Sequence, residues 1–149
     1  MYRHYRKPEH KTNPMASPDY TFRVQYYDTD QMQVAHHASY FCWMETARTE
    51  WLREAGVCYK DFEDMGFMLP VAKASFTYMN PARYDEQLGI FCSVDELKRS
   101  SFIIQYRIVH LENGTIIGNG QTRHACVSKA TGRITRFPDA FIKKIINKN

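Results

Sequence analysis

No cysteine pair in this 149-residue sequence has the C-x-x-C spacing of a structural zinc site. The four cysteines, Cys42, Cys58, Cys92 and Cys126, are scattered, and a chain of this length builds a core without a disulfide framework. They read as reduced packing residues of a cytoplasmic protein, Cys42 included. No apolar run approaches the roughly 20 residues of a membrane span, and the N-terminus has no apolar stretch of the secretory type. Its basic residues stand among Pro8, Glu9 and Pro14 without serine, which argues against a transit peptide, and Met15 offers an alternative start. Internal repeats are absent. An excess of one charge is also absent from most of the chain. Of the formal +4, residues 1–14 contribute +3 through Arg3, Arg6, Lys7 and Lys11 against Glu9, leaving +1 for the rest. A dedicated nucleic-acid surface is therefore not expected.

What remains is a folded domain, with 44% hydrophobic and 14% aromatic residues. Residues 1–18, with three prolines and no apolar period, read as a flexible basic tail before a single domain over 19–149. Phe22, Val24 and Tyr26 alternate with polar residues as in a half-buried strand. Over 38–55 the period becomes helical: Tyr40, Met44, Ala47 and Trp51 form a stripe that Phe41 and Leu52 widen. On the opposite face Glu45/Arg48 and Glu50/Arg53 stand at pairing distance along the helix. A short helix is predicted over 59–65. A meander of strands follows over 68–79, 87–98, 101–110 and 115–128, with a last strand over 133–137 and a helix over 139–147. Asn113-Gly114 is a hairpin signal. An antiparallel meander must bury one face, and the long helix is the available filler. The expected class is α+β: a central helix wrapped by a curved antiparallel sheet of about five or six strands.

Between the first strand and the helix stands YYDTDQMQVAHHASY, residues 26–40. Asp28, Asp30, His36 and His37 are costly to bury and useful at a reaction centre. The loop delivers Asp30, His36 and His37 to a helix N-terminus, whose unpaired N–H groups hold an anion or polarise a carbonyl oxygen. A carboxylate beside such donors suffices for acyl transfer. The same composition also suits a capping aspartate with solvated histidines.

The stretch YYDTDQMQVAHHASYFCWMETARTEWLREAG closely resembles the signature of hotdog-fold acyl-CoA thioesterases of the 4-hydroxybenzoyl-CoA thioesterase-like group. That signature is Asp-x-Asp, then Val, His and Tyr leading into a helix with Glu-x-Ala-Arg. Here the matching residues are Asp28, Asp30, Val34, His37, Tyr40, Glu45, Ala47 and Arg48. LPVAKASFTYMNPARYDEQL is similar to the family's second block, and the likeness runs over residues 20–146. The resemblance implies a hotdog fold, with Asp30 as the catalytic carboxylate and His37 presenting its backbone N–H, and in the bacterial branch its imidazole, to the thioester. It also implies Tyr26 and Val34 at the substrate. Asp28 is expected to be structural, and His36 to be a pocket-edge or solvated residue. Gln33 replaces the family's usual glycine, which suggests a different turn or a side chain reaching into the pocket. Met32, Met44, Met65, Met68 and Met79 are expected in the core or lining the pocket. Lys98 and Arg99 are ordinary cations of a hairpin turn, or, by the resemblance, contacts for coenzyme A phosphates.

The implied activity is hydrolysis of a thioester on coenzyme A or acyl carrier protein, with no metal and no cofactor beyond the coenzyme A of the substrate. A hotdog dehydratase or hydratase and a non-catalytic acyl-CoA-binding module are the alternatives. Hotdog proteins join their sheets edge to edge, so a homodimer or dimer of dimers is implied. Long sheet edges give an independent reason to expect one.

Overall fold

Helix α1 (His37–Glu54) buries Tyr40, Met44, Ala47, Trp51 and Leu52, the predicted stripe, and adds Trp43. The computed structural model of the chain describes residues 16–149 and the backbone of Tyr5–Arg6. Around α1 the strands β1 (Tyr5–Arg6), β2 (Tyr20–Arg23), β4 (Val71–Tyr78), β5 (Gln87–Leu97), β6 (Ser101–His110) and β7 (Ile116–Ala125) form one antiparallel sheet. The short strands β3 (Phe67–Met68) and β8 (Val127–Ser128) pair separately. Helices α2 (Tyr59–Asp64) and α3 (Asp139–Lys148) complete the chain. This is the hotdog arrangement, a long helix wrapped by an antiparallel sheet. Of the basic tail, Tyr5 and Arg6 pair with Leu97 and Glu96, and the other residues through Met15 lie outside the described residues.

Gly118 and Gly120 on β7 face α1. A Cβ on Gly120 would run into Met44 Sδ, and one on Gly118 into the Phe76 ring and the Thr77 carbonyl. The missing side chains let the helix and an aromatic ring lie directly on the sheet. At the other end Phe141, Ile142 and Ile145 of α3 close the core. Phe141 stacks on Phe137 at 4.4 Å and meets Phe62 at 5.2 Å. Each such large apolar side chain contributes roughly 1.5–3 kcal/mol on burial.

Three expectations change. The strands are not a simple meander, because β4 pairs with β7 while β5, β6 and β7 follow one another. The outer edge of β5 is already occupied. β2 covers Gln87–Ile90, Asp19 Oδ2 accepts the Cys92 N–H at 2.8 Å, and the Asn149 amide accepts from Val94 N–H at 2.8 Å and donates to its carbonyl at 2.9 Å. β4 therefore takes the other side of the sheet, and among the described residues nothing pairs with its outer edge. Next, the strand predicted over 133–137 reduces to one bridge between Ile134 and Val127. Finally, β2 ends at Arg23, and Tyr26–Asp28 is a 3-10 turn rather than the continuation of a strand.

Candidate active site

The loop before α1 is built by its own polar groups. Asp28 is buried, 7% exposed, and its Oδ2 accepts the Gln25 N–H at 2.8 Å. Its carbonyl accepts the His36 N–H at 2.7 Å and the Ser39 hydroxyl at 2.9 Å. Asp28 thus fastens the loop to the helix start, the structural role expected of it. A bridge between Thr29 and Ala35 closes a small turn. In it the Gln33 N–H donates to the Asp30 carbonyl at 2.9 Å and the Asp30 N–H to the Val34 carbonyl at 3.0 Å. Gln33 takes φ 61°, the left-handed conformation that glycine adopts freely. Gln33 thus takes a backbone conformation that glycine would favour, and its side chain is exposed to solvent.

Asp30 stands half-buried at the first corner of this turn. Its Oδ1 accepts the Met32 N–H at 2.8 Å, as in an Asx turn. Among the described residues nothing donates to Oδ2. One carboxylate oxygen is thus held while the other is available.

His36 is the N-cap of α1, not merely a solvated residue: its Nδ1 accepts the Ala38 N–H at 3.2 Å. This role was missed because histidine is an uncommon cap. The His36 and His37 rings lie together, with centroids 4.1 Å apart. Ser39 N–H donates to the His36 carbonyl at 2.9 Å. Of the amides at 36, 37, 38 and 39, only the N–H of His37 has no acceptor among the described residues. The His37 carbonyl accepts the Tyr78 hydroxyl at 3.0 Å, tying the helix start to β4. Tyr78 and Tyr40 meet edge to face at 4.9 Å, and burial raises the pKa of both phenols.

The other predicted substrate residues are divided. Val34 is half-buried in the Asp30 turn, and Tyr26 is 79% exposed with its ring edge-on to Tyr84 at 5.8 Å. Lys98 and Arg99 are not brought to this cluster within one chain. They occupy the β5–β6 turn beside the Leu97–Phe102 pair, with Lys98 Nζ 3.1 Å from Glu96. Tyr78, which marks the helix start, lies level with Gly118 and Ile108, six residues along β6 from Phe102, about 20 Å away at strand rise.

Other expectations are corrected too. Met44 is buried, but Met32, Met65 and Met79 are exposed, and Cys42 is exposed rather than packed. Glu50 and Arg53 pair at 2.6 Å, whereas Arg48 ignores Glu45 and donates to Tyr106 at 3.2 Å. Among the described residues no group of His, Cys, Asp and Glu is arranged to hold a metal ion. No helix there is long and apolar enough to cross a membrane.

The profile of the Thioesterase-like superfamily matches residues 24–145. The chain belongs to this superfamily. Among its relatives is a putative esterase of Aquifex aeolicus, 34% identical over 119 residues that cover 80% of this chain and 90% of the relative. The acyl-CoA thioester hydrolase YbgC of Escherichia coli is 31% identical over 120 residues, 80% of this chain and 89% of that protein. The crystal structure of a hypothetical protein from Thermus thermophilus superimposes with a TM-score of 0.81 at 30% identity, over 87% of this chain and 98% of the other. The match spans both the Asp30 loop and the sheet that carries Tyr78, so the thioesterase family and the hotdog fold stand on the same residues.

Proposed function

We propose that the chain hydrolyses acyl-CoA thioesters at the start of α1, with Asp30 as the reacting carboxylate. The observation that carries this reading is that the loop holding Asp30 and the start of α1 that it leads into each keep one uncommitted group. Among the described residues Asp30 has one oxygen without a donor, and of the amides at 36–39 only the His37 N–H has no acceptor. A thioester carbonyl accepting from that N–H gains negative charge in the transition state where the helix dipole favours it. Asp30 Oδ2 then acts on the carbonyl carbon, directly or through a water it deprotonates. The name carried by the Escherichia coli relative supports coenzyme A as the carrier, and acyl carrier protein is a second carrier of the same thioester. The reaction needs no metal and no cofactor besides the substrate's own coenzyme A, and we place it in the cytoplasm.

The decisive measurement is thiol release from a panel of acyl-CoAs. Wild type should turn over at least one of them, and Asp30→Asn, which keeps the shape of the side chain, should lose roughly 10²–10⁴-fold in kcat. Near-wild-type turnover by Asp30→Asn would reassign the catalytic group.

The working unit in this proposal is a homodimer, or a dimer of such dimers, joined along β4. Among the described residues its outer edge is unpaired, and unpaired edges of this length are normally covered. Tyr78 on that strand holds the helix start, so pairing would bring the two sites beside the joint. Lys98 and Arg99 would then serve a substrate held chiefly by a second copy. Sedimentation at micromolar concentration should show a dimer or larger, and a fully active monomer would remove this part of the proposal.

A further inference from the structure

The Glu-x-Ala-Arg segment of α1 has no part in the chemistry described so far, yet it borders a cavity. About 280 Å³ lies between the second half of α1 and the chain entering β4, walled by Leu52, Leu69, Pro70, Val71 and Phe102. Glu45, Arg48, Thr49, Tyr59 and His124 supply its polar groups. The volume is at the lower limit of the roughly 300–1,000 Å³ of small-molecule sites, so it admits a single ring or a short chain.

Arg48 is held at this cavity by a hydrogen-bond chain whose direction is determined. His124, 1% exposed, has Nδ1 at 3.4 Å from the Leu69 carbonyl, which can only accept. Nδ1 therefore carries the proton and Nε2 accepts from the Thr122 hydroxyl at 2.8 Å. The Thr122 oxygen then accepts from the Tyr106 hydroxyl at 2.7 Å. The Tyr106 oxygen is left to accept from Arg48 Nη1 at 3.2 Å. Every donor in the chain is spent once. At its end stands a half-buried guanidinium that has five N–H donors but, among the described residues, one hydrogen-bond partner, a neutral phenol, and no ion pair. Such a fork is suited to a carboxylate held by two parallel bonds. Glu45 also lines the cavity, but it is exposed and makes no ion pair with Arg48, so solvent screens its repulsion of a bound carboxylate.

We propose that this cavity is a binding pocket for a small organic carboxylate, with Arg48 as its counter-ion and the walls of Leu52, Leu69 and Phe102 taking the apolar body. The pocket is distinct from the Asp30 centre within one chain. A carboxylate is also what thioester hydrolysis sets free, so the pocket would respond to product, but its occupancy is measurable without turnover.

Calorimetric titration of the full chain with benzoate, and with neutral benzamide as its isostere, tests this. Saturable binding of benzoate, tighter than benzamide by roughly ten- to a hundredfold, is expected. Arg48→Gln should abolish that preference, Arg48→Lys should retain part of it, and Asp30→Asn should leave it unchanged. Equal binding of the two probes to wild type, or no saturable binding of benzoate, overturns the proposal without any variant. Loss of benzoate binding in Asp30→Asn would move the carboxylate to the reaction centre and overturn it as well.

Discussion

The imidazole Nδ1 of His36 accepts the backbone N–H of Ala38 at 3.2 Å, and this leaves the intervening amide of His37 as the spare donor of the helix start. A backbone donor can be removed here without breaking the helix. His37 is the first helical position, where proline is well accommodated, and His36 already holds φ −64° and ψ 141°, the extended conformation that precedes proline. His37→Pro deletes the N–H and the imidazole, and His37→Ala deletes the imidazole alone. If the amide polarises the thioester, His37→Pro should lose about 10²–10³-fold in kcat beyond His37→Ala. Thermal unfolding should be similar in the two variants. Equal rates would return the role to the imidazole.

Gln33 holds φ 61° to close the turn that presents Asp30. A left-handed conformation costs a residue with a Cβ about 1–2 kcal/mol, part of which glycine returns as unfolded-state entropy. Gln33→Gly should therefore raise the unfolding free energy by up to about 1 kcal/mol, read as a higher urea midpoint at unchanged slope. Gln33→Ala should bring no such gain. A lower midpoint for Gln33→Gly would show that the side chain supports the loop.

His124 should make stability depend on pH. Burial, with the nearby charge of Arg48, lowers its pKa from 6.5 to about 4. The folded state then binds fewer protons than the unfolded chain between those two values. Stability is fully present above pH 6.5 and falls as the pH drops toward 4, by up to roughly 3 kcal/mol. Protonation also puts a hydrogen on Nε2, where Thr122 now donates, and breaks the chain to Arg48. Urea unfolding of wild type and His124→Gln at pH 7.5 and 4.5 separates this from the carboxylates that titrate nearby. The wild type should lose more stability on acidification, and parallel losses would remove His124 as the cause.

Much of this protein is legible in local patterns. The stripe of Tyr40, Met44, Ala47 and Trp51 has helical spacing, which the chain itself carries, and α1 forms where it predicts. The Asp-x-Asp loop is likewise local: Asp28 bonds Gln25 and Asp30 bonds Met32, two or three residues away. Partners distant in sequence have no such signal. Tyr78 reaches His37 from 41 residues away and Arg48 chooses Tyr106, 58 residues on, over Glu45 at the next turn of its own helix.

Strand order follows the same division. Alternation shows that β4 and β5 are strands, because side-chain period belongs to each strand by itself. Which edge receives β4 depends on competition. β2, Asp19 and Asn149 fill the outer edge of β5, and hydrogen-bond saturation there sends β4 to β7. The sequence by itself determined the long helix, the long strands β4 to β7 and the Asp-x-Asp loop, because each is written in the spacing of neighbouring residues. Only the tertiary structure decided that Lys98 and Arg99 stand far from Asp30, that His36 caps and that Arg48 faces a cavity, because those outcomes depend on which distant surfaces meet when the sheet closes on its helix.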